Sequence, residues 1–91
     1  MNEPCAPSKQ KLIEKILLVD DDQVFTRVMK RALNRLGFEV YTAQTAKEAL
    51  ALTQETLFDR AILDLKLELT SGLQLIAELK AVQTDLRIVV L

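Results

Sequence analysis

The chain contains no histidine. That absence removes Ser-His-Asp and Cys-His nucleophile pairs, and with them the usual zinc and iron ligand sets. Catalysis here would have to run on carboxylates, lysines and hydroxyls. Cysteine is nearly absent too: Cys5 is alone, so there is no disulfide framework and no thiolate metal site. A reducing, cytoplasmic setting fits that usage. No apolar run approaches the ~18 residues needed to cross a bilayer. Met1 to Gln10 lacks the apolar core of a secretory signal. Neither sign of charge dominates: 12 basic and 13 acidic residues leave a formal net charge of −1. That balance argues against nucleic-acid or membrane-surface binding through bulk charge.

What is present suffices for one small domain: 91 residues, 49% of them hydrophobic. Residues 1–14, with Pro4, Pro7 and Ser8, are expected to form a mobile tail, and residues 15–91 the domain. Ile16–Asp20 has the continuous apolar character of a buried strand. Gln23–Leu36 has helical periodicity, with Phe25, Val28, Met29, Ala32 and Leu36 on one stripe. Asp22 is placed to cap it and Gly37 to stop it. Phe38–Ala43 is expected to be a strand nearer the sheet edge. Thr45-Ala46-Lys47-Glu48 is a capping box opening a second helix to about Thr53, with Ala46, Ala49, Leu50 and Leu57 facing the sheet. Ala61–Leu65 is a third strand and Lys66–Ser71 a loop. Gly72–Val82 is a third helix with Leu73, Ile76 and Leu79 inward, and Arg87–Leu91 is a fourth strand. This βαβαβαβ order predicts right-handed crossovers and a parallel sheet covered on both faces.

Two of those strands end in acids. Ile16-Leu17-Leu18-Val19 runs into Asp20-Asp21-Asp22, and Ala61-Ile62-Leu63 runs into Asp64. If the first strand is central, the third lies beside it, and both acid sets reach one rim. Ligands of open parallel sheets bind outside the carboxyl ends of the strands. Two like charges ~4 Å apart repel by roughly 4 kcal/mol at an effective dielectric near 20. A chain that concentrates acids in this way binds a hard cation with them, does chemistry with one of them, or both. Desolvation at the end of an apolar strand should raise the pKa of Asp64. Mg²⁺ suits such a rim, because it takes one or two carboxylates and keeps several waters. An ionised aspartate beside it can attack phosphorus.

Lys15–Asp22 together with Ala61–Leu67 and Gly72-Leu73 resembles the receiver domain of two-component response regulators, from Lys15 to Leu91. The resemblance implies a flavodoxin-like three-layer α/β fold with parallel sheet order 2-1-3-4. It implies Asp64 as phospho-acceptor, Asp21 as a direct Mg²⁺ ligand, and Asp20 as the acid that reaches the metal through water. The backbone carbonyl of Lys66 is implied as a further metal ligand. The implied partners are a sensor histidine kinase, as donor of the phosphoryl group, and an output domain; no membrane contact is implied. Asp64–Glu68 followed by Ser71-Gly72-Leu73 is most similar to the redox-responsive subgroup with a Fis-type helix-turn-helix output domain.

The resemblance is incomplete. Receivers commonly carry proline where this chain has Glu68. The family's hydroxyl residue after the fourth strand, its fourth helix, its fifth strand with lysine and its fifth helix lie past Leu91. The expectation is therefore a truncated receiver, either marginally stable or paired with a second copy through its fourth strand. Two alternatives remain at this point. Asp20-Asp21-Asp22 also resembles the Asp-x-Asp of haloacid-dehalogenase-like phosphohydrolases, with Asp20 as nucleophile. A receiver-like interaction module that is never phosphorylated is the other.

Overall fold

The computed structural model describes the backbone of residues 13–64 and 69–91, and the side chains of 13–64 and 73–91. The strands are β1 (Lys15–Val19), β2 (Glu39–Ala43), β3 (Arg60–Leu63) and β4 (Arg87–Val90). They alternate with helices α1 (Gln23–Arg35), α2 (Ala46–Glu55) and α3 (Leu69–Val82). The sheet is parallel with order β2-β1-β3-β4, as the element order predicts.

The sheet divides the core into two layers. On one face Leu17, Val19, Ala61 and Leu63 pack against Ala49 of α2 and Leu75 and Leu79 of α3. On the other, Ile16, Leu18 and Val40 meet Met29 and Leu33 of α1, with Phe38 and Ile62 alongside. Residues 16 to 19 of β1 are all buried, at 2% exposure or less. This explains why that strand is apolar throughout rather than alternating.

The helix ends follow from local chemistry. The Asp22 side chain accepts the N–H groups of Val24 and Phe25, at 3.0 and 3.1 Å, and caps α1. At the other end Gly37 has φ 101°. Its N–H donates to the Asn34 carbonyl and that of Phe38 to the Leu33 carbonyl, the paired closure that favours glycine. α2 opens in a variant of the capping box, with the Glu48 side chain reaching the residue before the cap. Glu48 N–H donates to Thr45 Oγ1 at 3.1 Å, and Gln44 N–H donates to Glu48 Oε1 at 2.8 Å.

Several expectations are corrected. Val28 and Leu36 are exposed, and Leu33 takes the place expected of them. α1 packs on the sheet through Met29 and Leu33, which leaves positions 28, 32 and 36 off the contact. Leu57 is 80% exposed beyond the end of α2, and Phe58 is the buried residue there. α3 starts at Leu69 rather than Gly72, so the glycine lies within its first turns. Its inward line is Leu75, Ile76 and Leu79, while Leu73 is exposed; positions 73 and 75 are ~200° apart on a helix of 3.6 residues per turn. Residues 1–12, including Cys5, lie outside the described residues. Glu14 belongs with the sheet, its carbonyl accepting Glu39 N–H at 2.9 Å.

Gln83, at the end of α3, is buried. Its Oε1 accepts Phe58 N–H at 2.9 Å, and its Nε2 donates to the carbonyls of Thr53 and Thr56 at 2.8 and 2.7 Å. One side chain thus ties α3 to the end of α2 and to the approach to β3. Gln83→Leu would orphan two buried backbone groups, each costing about 1–3 kcal/mol, and a third that is part-buried. Urea unfolding is expected to show a loss of at least ~2 kcal/mol, and a loss under ~0.5 kcal/mol would contradict the role.

Candidate functional site: an acidic rim at the ends of β1 and β3

β1 and β3 are adjacent and parallel, with Val19 in register with Leu63. The next residue of each strand is an aspartate, so Asp20 and Asp64 emerge side by side. Backbone hydrogen bonds fix both stems. Asp20 N–H donates to the Ala43 carbonyl of β2 at 3.0 Å, and Asp64 N–H to the Val19 carbonyl at 3.1 Å. Sheet pairing, not side-chain attraction, holds these acids together.

The carboxylates differ in environment. Asp20 is 1% exposed, Asp64 is half-buried and Asp21 is exposed. Asp20 Oδ1 accepts the Asp22 N–H at 2.9 Å. Its Oδ2 is buried and, among the described residues, has no hydrogen-bond partner. Burial pushes the Asp20 carboxyl above its usual value of 3.8; the Asp64 and Asp21 carboxylates add to that, and the Asp22 N–H opposes it. A buried carboxylate oxygen without a partner is costly, and a cation at this rim would remove the cost. Asp22 is spent on the helix cap. Lys66, whose carbonyl was expected as a ligand, lies outside the described residues.

Among the described residues no group of three acidic side chains makes a ready metal cage. The donor set nonetheless suits Mg²⁺, which coordinates one or two carboxylates and retains water. The cavity of about 480 Å³ at the opposite end of the sheet, lined by Ile13, Leu57, Phe58, Val82 and Gln83 among others, contains none of these acids.

The family model described as "Response regulator receiver domain" matches residues 16–91. The chain belongs to that family. Photosynthetic apparatus regulatory protein RegA of Cereibacter sphaeroides is 40% identical over 76 residues, covering 84% of this chain and 41% of RegA. Alginate biosynthesis transcriptional regulatory protein AlgB of Pseudomonas aeruginosa is 37% identical over 76 residues, covering 84% of this chain and 17% of AlgB. This receiver therefore spans less than half the length of those relatives. A response regulator from Burkholderia pseudomallei, solved with a phosphorylated aspartic acid, calcium and citrate, superposes with TM-score 0.78 at 40% identity, over 85% of this chain and 45% of that one. A response regulator, TrrA, solved in complex with the histidine kinase ThkA superposes with TM-score 0.75 at 31% identity, over 85% of this chain and 66% of that one.

The raised Asp20 carboxyl predicts a stability that varies with pH, and with cations if the rim binds one. Asp20 holds its proton more tightly folded than unfolded, so its contribution to stability falls as pH rises from 3.8 through its raised value. In chelator, wild type should lose stability relative to Asp20→Asn across that window. Mg²⁺ at 100 times its dissociation constant should restore about 2.7 kcal/mol to wild type and much less to the variant. Parallel pH curves for the two proteins in denaturant titrations, with equal responses to Mg²⁺, would contradict this.

Proposed function

We propose that this receiver accepts a phosphoryl group on Asp64 from a phosphohistidine of a sensor histidine kinase and relays the signal to an output domain. The observation that carries the proposal is the pairing of half-buried Asp64 with fully buried Asp20, whose Oδ2 lacks a partner among the described residues. The Burkholderia relative's phosphorylated aspartic acid and the kinase complex of TrrA support it. So does TrrA of Thermotoga maritima solved with Mg²⁺ and BeF.

In this reading an Asp64 oxygen attacks phosphorus, a P–O bond forms and the P–N bond to the donor imidazole breaks. The imidazole leaves as the neutral base once its nitrogen is protonated. The phosphoryl group passes whole to Asp64 as an acyl phosphate. Asp20, Asp21, Asp64 and the Lys66 carbonyl would hold Mg²⁺. When bound, the metal shields the incoming phosphoryl oxygens from the acids and keeps Asp64 ionised. Asp20 is too enclosed to be the attacking group. That burial, with the family match, argues against the phosphohydrolase alternative in which Asp20 is the nucleophile.

The redox-responsive resemblance extends the proposal to a Fis-type helix-turn-helix output domain, through which alone DNA would be bound. Among the described residues no helix is long and apolar enough to cross a membrane; a cytoplasmic location is part of the proposal. β4 is one of the two edge strands of the sheet, and Val89, Val90 and Leu91 are 40–53% exposed. Unpaired edges of this kind promote association, so sedimentation of the 91-residue chain is expected to show dimer, and a monomer at all concentrations would contradict it.

Phosphotransfer tests the central reading. Wild type incubated with Mg²⁺ and a labelled small phosphodonor or the cognate kinase should take up label. Asp64→Asn should reduce uptake at least 100-fold, on the scale of losing the reacting group outright. Undiminished uptake by Asp64→Asn would defeat the assignment.

A further inference from the structure

α1 carries a feature that the acidic rim does not use. Its 13 residues include Arg27, Lys30, Arg31 and Arg35 and no acid, in a chain whose net charge is −1. All four basic residues are exposed. Among the described residues none of them has an ion-pair partner. Arg27–Arg31 and Arg31–Arg35 are like-charge pairs one helical turn apart, an arrangement that weakens a helix. Positive charge is concentrated here at a cost that nothing in the described fold offsets.

Two of these cations border a groove of about 260 Å³ between α1 and the end of β2, lined by Gln23, Thr26, Arg27, Lys30, Thr42 and Gln44. The lining has two cations, two amides, two hydroxyls and no carboxylate. Arg27 and Lys30 are three residues apart and so share one side of the helix. Thr42 and Gln44 are exposed and close the groove from the strand. The Thr26 hydroxyl is already committed to the backbone carbonyls of Asp22 and Gln23, at 2.9 and 3.0 Å, so it shapes the wall without donating further. The first backbone N–H groups of α1 are also used, by Asp22; charge and side-chain donors make the site, not the helix end. The acids beside the groove are committed elsewhere: Asp22 caps α1, Asp20 Oδ1 accepts the Asp22 N–H, and Glu48 Oε1 accepts the Gln44 N–H.

We propose that this groove binds the phosphate group of a small phosphorylated molecule. A guanidinium fork and a mobile ammonium beside it match a tetrahedral dianion, the first through paired hydrogen bonds and the second as a point charge. The site lies between α1 and β2, on the side of β1 away from β3, so it borders the Asp20 end of the rim but does not depend on Asp64.

The probe is inorganic phosphate, added to the full chain at constant ionic strength without divalent cations, with backbone amide NMR shifts as the readout. Saturable shifts centred on Arg27, Thr42 and Gln44 are expected. The double variant Arg27→Ala/Lys30→Ala should bind at least tenfold more weakly with the rest of its spectrum unchanged. Arg27→Gln alone should weaken binding by a smaller factor and serves if the double variant misfolds. Lys30→Arg should keep the affinity. Asp64→Asn should bind phosphate as wild type does, which separates this site from the phosphorylation proposal. Shifts that grow without saturating, that centre on Asp20 and Asp64, or that survive in the double variant would overturn it.

Discussion

Two parallel strands pair in a register that forces their terminal aspartates together. Val19 lies opposite Leu63, and the Asp64 N–H reaches back to the Val19 carbonyl. The carboxylates that follow would repel in isolation, but the apolar strands beneath them leave no other register. Sliding β3 by one residue would turn Ala61 and Leu63 out of one core layer and Ile62 out of the other. Burial of the strand stems therefore holds the acids against their repulsion. The sharpest consequence falls on Asp20, with one oxygen tied to the Asp22 N–H and the other left without a partner among the described residues.

The rest of the structure supports that rim. β1 is the most enclosed strand, flanked by β2 and β3 and covered on both faces. Asp22 turns the chain directly into α1, so the residue after Asp20 and Asp21 also fixes the helix that covers one face. At the far end Gln83 ties together the closing segments of α2 and α3 and the approach to β3. The rim end thus crowds carboxylates together, whereas at the opposite end the Gln83 side chain satisfies three backbone groups.

Much of this was legible in the chain. Apolar runs ending in acids located β1, β3 and the rim, and Asp22, Thr45 with Glu48, and Gly37 marked the helix ends through their own hydrogen-bonding chemistry. The misplacements have physical causes. Val28 and Leu73 lie on hydrophobic stripes, but periodicity cannot tell how wide a strip of helix the sheet will touch. Gly72 suggested a helix start because glycine usually interrupts helices, yet α3 carries it inside its first turns. Gln83 carried no sequence signal, since its role depends on three carbonyl and amide groups brought together from distant segments.

The central claim is that Asp64 carries the phosphoryl group while Asp20 and Asp21 serve the metal. Its most direct test is chemical mapping of the phosphorylated chain. Borohydride reduces an acyl phosphate to an alcohol, so reductive trapping followed by peptide mass analysis marks the acceptor residue. Homoserine at position 64, formed only when Mg²⁺ is present, is the predicted result. Homoserine at position 20 or 21 would contradict the account.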